Sequence, residues 1–455
     1  MSKTKANRTL LLEGPIGPTL AKLTVPMIFG ILSMIVYSLT DAFFVGKLGK
    51  EQLAALSFTF PVVLMIASLS QGIGMGAAAV VSRALGAGDD RRARRLSTDS
   101  LVLGLLIIAV GVVAGLLTIE PLFTLLGARD AVLDHIVDYM RIWYIGMIFV
   151  VVPMIGNSVL RATGDTKTPG LIMVLGAAAN LVFDPVLIFG FGPIPAMGIR
   201  GAAWATLIGR GITFVIAMSV LVRRERLLTA EIPRPREVWE SWRDILHVGL
   251  PDAGARMIIP LGQGVITRIV ASYGPAAVAG YGVATRIEFF SLAALMALST
   301  VIGPFVGQNI GAGKPDRVRA GFAVSRRFSL IVGLGAFFAF LFLAGHVAAL
   351  FNKDPEVVST AALYIRMVSL AYAAQGFFFV VNAGLNVLRR PFHAAGLSIM
   401  EMFGLAVPLV LLGSRFFGIP GIFGAIGISY LVTGAAAWWV IERVQEDMKV
   451  ARKER

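Results

Sequence analysis

Hydrophobic positions in this chain gather into long blocks separated by short polar breaks. Six blocks fall at roughly 20–46, 52–82, 97–119, 135–159, 169–191 and 198–222, and six more at roughly 244–271, 277–308, 322–350, 358–386, 394–416 and 421–442. A helix needs about 20 mostly apolar residues to cross the hydrocarbon core of a bilayer, and each block is that long. Between the two sets lies a charged, proline-containing stretch, Arg223 to Arg243, which includes the run Arg223-Arg224-Glu225-Arg226. The pattern predicts an all-α membrane protein with about twelve transmembrane helices. An N-terminal six-helix lobe over 1–222 is joined by a linker, 223–243, to a C-terminal six-helix lobe over 244–455 that ends in a short tail.

Composition agrees with lipid as the solvent. The 455 residues are 56% hydrophobic and 15% charged, with a mean hydropathy of +0.79, which leaves little chain for a soluble domain. The net charge of +14 would suit nucleic acid only on a folded basic module, and none is visible. With the N-terminus inside, cytoplasmic segments hold 29 lysines and arginines, whereas the outer segments hold six: Lys47, Lys50, Arg129, Arg200, Lys353 and Arg415. Because cytoplasmic loops carry the excess of such residues, both termini and the linker are expected in the cytoplasm of a cell with this protein in its inner membrane. The chain has no cysteine, which excludes disulfides, thiol nucleophiles and cysteine-ligated metals. The basic N-terminus leads into an apolar stretch that contains Pro26 and Asp41 and no small-residue cleavage site, so it is expected to remain as the first helix.

The halves repeat at an offset of 225. Pro26 matches Pro251, Gly49 matches Gly274, and Gly86-Ala87-Gly88 followed by Arg92 and Arg94 matches Gly311-Ala312-Gly313 followed by Arg317 and Arg319. Tyr139, Arg141 and Asn157 match Tyr364, Arg366 and Asn382 in the same register, and near the last span the offset falls to 223. A unit of six spans re-enters with the same orientation, so the repeat is parallel, about an axis along the membrane normal, and substrate is expected at the interface of the halves.

Ionisable groups inside spans are functional candidates, since each costs about 2.5 to 3.5 kcal/mol at a helix centre. Asp41 precedes Lys47 by about six residues, roughly 9 Å at 1.5 Å per residue, and Asp184 stands at a similar outer depth in span five. Tyr37 and Asn180 lie four residues before these acids and share their helical faces. Such a pair in a low-dielectric site can carry a proton, and the oxygens of Asp41, Asn180 and Asp184 can instead ligate sodium. A structural reading, in which each acid bonds backbone freed by Pro26 or Pro185, competes with both. Asn157 is either a binding residue or helix glue, in equal balance. Arg286 and Glu288, two residues apart, point to different faces and read as structural. No Asp or Glu occurs between Ile258 and Val270 or between Val357 and Leu388, so the first lobe is expected to carry the coupling. The two Gly-Ala-Gly turns lack phosphate-loop spacing, no catalytic motif is present, and no enzyme is expected.

At Arg161-Ala162-Thr163-Gly164-Asp165-Thr166-Lys167-Thr168-Pro169 and Gln308-Asn309-Ile310-Gly311-Ala312-Gly313 the chain resembles the multidrug and toxic compound extrusion (MATE) family over essentially all twelve spans. Pro26, Tyr37, Asp41, Asn157, Asn180 and Asp184 are similar to the first-lobe site of its DinF-like branch, where the acids handle the coupling cation and Pro26 bends the first span. The absence of acids in spans seven and ten departs from the NorM-like branch. The resemblance implies two six-helix lobes in a V, alternating access, no cofactor beyond a coupling proton or sodium ion, a monomer surrounded by lipid, and export of cationic or amphipathic drugs. Some members place a threonine of span six beside the acids. Matching it to Ala202 in Gly201-Ala202-Ala203-Trp204-Ala205-Thr206 leaves one sodium ligand missing and favours protons. The alternative the resemblance leaves is a lipid-linked precursor flippase of the same superfamily.

Overall fold

The computed structural model describes residues 3–453; Arg455, one of the cytoplasmic cations, lies outside the described residues. The regular elements of the described chain are all helices, with one isolated bridge, Phe191 to Ile194, in a loop. A short helix α1 (Lys3–Glu13) precedes α2 (Ile16–Gly46), α3 (Lys50–Ala87), α4 (Asp90–Leu125), α5 (Asp130–Ile145), α6 (Met147–Ala162), α7 (Lys167–Phe189) and α8 (Gly198–Ser219), which continues as a π turn to Arg224. The second set is α9 (Pro235–Ala271), α10 (Pro275–Gly311), α11 (Pro315–Phe351), α12 (Pro355–Val368), α13 (Tyr372–Val387), α14 (Pro391–Ile399), a π-helical stretch Met400–Ala406, and α15 (Val407–Lys453).

Among the described residues nine helices are long and apolar enough to cross a membrane, or ten with α5 and α6 taken as one bent span. Two more complete the predicted twelve. The first is α9, whose later part carries Asp252, Arg256, Gln263 and Arg268 among its apolar residues and so has a lowered hydropathy. The second comes from α15, where Gly418 at φ 63°, ψ −143° interrupts a stretch otherwise taken as one span. The seventh span thus begins as helix at Pro235, within the segment expected to be linker, because the sequence from Glu237 to Arg243 is polar without being helix-breaking.

The repeat read from sequence is built into the backbone. Gly49 and Gly274, 225 apart, precede α3 and α10 with φ of 144° and 103°, and Gly88 and Gly313 end the following turns with φ of 86° and 69°. These left-handed conformations are open to glycine at little cost. The fourth span breaks in both halves at matching positions: a 50° bend at Gly146 divides α5 from α6, and a 3-10 turn, Ser369–Ala371, divides α12 from α13. At Gly146 a side chain is impossible without movement, since a Cβ there would stand 2.3 Å from Leu207 Cδ1.

Contacts divide the chain into one unit of 1–8 and 26–253 and another of 9–25 and 254–455. The change of unit along α2 falls at Pro26, and along α9 two residues past its repeat partner Pro251. Residues 9–25 group with the second unit because Leu11 and Gly14 carbonyls accept from Arg317 Nη2 at 3.2 and 2.7 Å, and Leu11 also accepts from Asn309 at 3.2 Å. Residues 235–253 group with the first because α9 meets α3 backbone to backbone: a Cβ on Gly72 would lie 2.4 Å from the Gly249 carbonyl oxygen.

Both sequence motifs are scaffolding. Gly164 turns at φ 83°, and buried Asp165 then caps α7 by accepting from Thr168 N at 3.1 Å while pairing with Arg224. In the second motif fully buried Asn309 donates to Phe305 O at 2.9 Å and accepts from Arg317 at 3.1 Å. Each unit buries a large apolar cluster, and large side chains such as Val110, Leu117 and Phe342 remain exposed on helix faces, as surfaces toward hydrocarbon do.

Candidate functional site

Three helices of the first unit bring the predicted residues together. On α2 Tyr37 and Asp41 are one turn apart; on α7 Asn180 and Asp184 are likewise one turn apart and both buried. The helices approach closely because glycines line their seam. A Cβ on Gly170 would meet the Pro26 carbonyl oxygen at 2.5 Å, and one on Gly201 of α8 would meet the Leu187 carbonyl oxygen of α7 at 2.3 Å. Asp41 and Asp184 are within electrostatic reach of each other and of Tyr37. Asp41 Oδ1 and both carboxylate oxygens of Asp184 are buried with no hydrogen-bond partner. Burying such groups is costly unless something satisfies them.

The hydroxyl of span six that joins this group is Thr206. Its Oγ1 lies 3.3 Å from Tyr37 Oη and accepts from Asn180 Nδ2 at 3.4 Å. Ala202, the expected counterpart of the family threonine, is buried one turn earlier on α8. A span-six hydroxyl therefore stands beside Tyr37 and Asn180, whichever of the two residues matches the family threonine. A one-turn shift leaves the helical face unchanged, so the face alone could not separate the two positions.

Beside this group a small cleft is lined by Tyr37, Asn157, Asn180, Arg210 and apolar side chains that include Met34, Met154 and Met173. Asn157 Oδ1 is without a hydrogen-bond partner, whereas its repeat counterpart Asn382 is tied to Ala394 O at 3.0 Å and Ser398 Oγ at 2.9 Å. The two asparagines thus make different contacts in the two halves. Arg210, in mid-α8, was missed in the sequence. Its guanidinium carbon sits 5.5 Å from the centre of the Tyr37 ring, within cation–π range. The signal was available, since an arginine about ten residues from either end of a span is as anomalous as an aspartate.

The second unit carries a further buried polar group that sequence reasoning did not assemble. Glu288 of α10 and Glu401 of the π-helical stretch are both buried. Arg286, two residues before Glu288, is exposed, as their spacing predicted. Pro26 lies inside α2, which continues through it as helix.

Paired six-span units with buried carboxylates beside a cleft are the architecture of a membrane transporter. The chain belongs to the MatE family, whose model matches residues 26–186 and 251–412, two segments that begin at the repeat-related prolines. It is 37% identical over 442 residues to the FAD transporter of Shewanella oneidensis, covering 96% of this chain and 97% of that one. It is 24% identical over 458 residues to the multidrug export protein MepA of Staphylococcus aureus, covering 97% of each. Among solved structures the Vibrio cholerae MATE transporter VcmN in its bent form superimposes with a TM-score of 0.89 at 29% identity, over 98% of this chain and 99% of that one.

Proposed function

We propose that this chain is a proton-coupled antiporter of the inner membrane, a monomer with both termini cytoplasmic, that exports amphipathic organic compounds. Asp41 and Asp184 hold the proton, and Tyr37, Asn180 and Thr206 position them. The observation that supports the reading is the pair of buried carboxylates: Asp41 Oδ1 and both oxygens of Asp184, atoms to which a proton adds, lack hydrogen-bond partners, as does the amide oxygen of Asn157 in the cleft, while the neutral Thr206, Asn180 and Tyr37 groups meet one another. Neighbouring carboxylates titrate as one unit, so the proton belongs to the pair. Proton binding then favours one arrangement of the first unit and substrate the other, with Pro26, which lacks a backbone N–H, as the place where α2 yields.

Arg210 bears on the cargo. The expectation of cationic or amphipathic drugs, with the precursor flippase as its alternative, came from the family resemblance. A guanidinium beside an aromatic ring in the cleft favours the amphipathic class and, within it, planar aromatic compounds bearing negative charge. The name of the Shewanella relative, an FAD transporter, falls in that class. For a flippase the same arginine stands alone among the described cleft residues, where a lipid diphosphate calls for several cations.

Proteoliposomes loaded with a flavin dinucleotide or a cationic dye, given either a pH gradient or a sodium gradient, test both parts. We expect flux under the pH gradient alone, with Asp41→Asn and Asp184→Asn each abolishing it and the double variant adding little. Arg210→Gln should reduce flavin flux more than dye flux. Full flux in both aspartate variants at normal abundance would assign the coupling to other residues.

A further inference from the structure

Two arginines of the second unit are stacked on tryptophans and have no acceptor to hold. The guanidinium carbon of Arg326 on α11 lies 4.8 Å from the centre of the Trp438 ring on α15. That of Arg443 lies 4.6 Å from the ring of Trp439, one turn earlier on its own helix. Among the described residues neither guanidinium, nor that of the exposed Arg327, makes an ion pair or a hydrogen bond. The nearby carboxylate of Glu442 is engaged instead by Trp438 Nε1. Arg326 is half-buried, whereas Trp438 and Trp439 are 45% and 59% exposed.

Depth puts the group at a membrane surface. Arg326 stands four residues inside the apolar block of α11 that starts near 322, and Trp438 four residues before the block of α15 ends near 442. Each is about 6 Å from the edge of its block at 1.5 Å per residue. Tryptophan is enriched at that level, where its ring meets acyl chains and its N–H the headgroups, and an arginine there extends its charge toward them. The shared backbone of the two halves does not require the group. At the offset of 225, Arg326 and Arg327 stand where the first half has Leu101 and Val102, and at the offset of 223 Trp438, Trp439 and Arg443 stand where it has Val215, Ile216 and Val220.

A guanidinium stacked on a ring keeps its donors free, because the ring covers its face and the N–H groups point out of its edge. That planar fork matches the oxygens of a phosphate, which it can hold through two parallel hydrogen bonds. The three arginines outnumber Glu442 and Glu446, the carboxylates within a turn of Arg443 on α15, so the surface is net positive. Basic pockets between transmembrane helices at this level receive acidic lipid headgroups. We propose that Arg326, Arg327 and Arg443, framed by Trp438 and Trp439, bind the phosphate headgroup of an anionic phospholipid where α11 meets α15.

The purified full chain in neutral detergent is titrated with cardiolipin, phosphatidylglycerol or phosphatidylcholine, and bound lipid is counted by native mass spectrometry. An arginine beside acidic lipid is worth about fivefold in affinity, so the two anionic lipids should bind about tenfold or more tightly than phosphatidylcholine. Arg326→Gln, Arg443→Gln should lose that preference. Arg91→Gln, Arg94→Gln, which removes the same charge from exposed side chains of α4, should retain it. Arg326→Lys keeps the charge and gives up the planar fork, so it should weaken binding several-fold; it decides the matter alone if the glutamine pair fails to reach the membrane. Excess inorganic phosphate, which has no acyl chains, should leave the lipid in place. No preference over phosphatidylcholine, equal loss in the two glutamine pairs, unchanged affinity in Arg326→Lys, or displacement by inorganic phosphate would overturn the proposal.

Discussion

Replacing Gly201 with alanine adds one methyl group where α7 and α8 touch, at a point with no room to receive it. The new Cβ would lie 2.3 Å from the Leu187 carbonyl oxygen, 2.5 Å from its carbon and 2.8 Å from Ile188 N. All three are backbone atoms of a helix and cannot rotate away, so the helices must part locally by about 1 Å to restore ordinary contact. Overpacking of this kind costs about 1–3 kcal/mol. The same displacement acts on the site, because Leu187 is three residues past Asp184 and Gly201 is five before Thr206. The Asn180 to Thr206 hydrogen bond, already 3.4 Å, would lengthen beyond useful range. Gly211→Ala, ten residues further along the same helix, is the matched control, since nothing lies within 4 Å of its Cβ. There alanine should stabilise the helix by about 0.5–1 kcal/mol. Melting of the purified variants, followed by size-exclusion chromatography, is compared with efflux at equal abundance. Gly201→Ala should melt lower than the unaltered chain and lose most transport, and Gly211→Ala should melt at or above it and transport fully. Coincident melting of the two variants would refute the argument that this helix seam is set by backbone contact at Gly201.

Thr206→Val keeps the volume and removes the hydroxyl that Tyr37 and Asn180 share; two long hydrogen bonds are together worth about 1 kcal/mol, so abundance should hold while efflux falls, and Thr206→Ser should restore it. A normal efflux rate in the valine variant would separate Thr206 from the site. Thr229 lies between the π turn and α9, with its N–H bonded to Thr98 Oγ1 at 3.0 Å, and a cysteine placed there in this cysteine-free chain should react with an impermeant maleimide in inverted vesicles and not in intact cells. Labelling from outside the cell would reverse the orientation read from the lysine and arginine bias.

The sequence by itself determined the spans, their repetition and the residues of the first-unit acid pair. These are properties of one dimension. Hydrophobic run length states how much chain crosses a bilayer, a constant offset states that two halves share a backbone, and a four-residue interval places Tyr37 with Asp41 and Asn180 with Asp184 on common faces. The breaks at Gly146 and at Ser369–Ala371, at corresponding places in the two halves, were seen only in the structure. The groups opposite those faces are not a property of one helix. Whether Ala202 or Thr206 meets Tyr37 depends on the axial register of α8 against α7, fixed by the contact of Gly201 with Leu187. The second buried group was not assembled because its acids, Glu288 of α10 and Glu401 of the π-helical stretch, lie outside the acid-free segments of spans seven and ten, while Gln375 of α13 lies within span ten. Glu401, in the π-helical stretch, accepts from Gln375 across two helices, a pairing that no hydrophobic period announces. The division into units, too, was settled by backbone carbonyls of Leu11 and Gly14 meeting Asn309 and Arg317. Register, rotation and partner choice come from close packing across helices, and only the tertiary structure decides them.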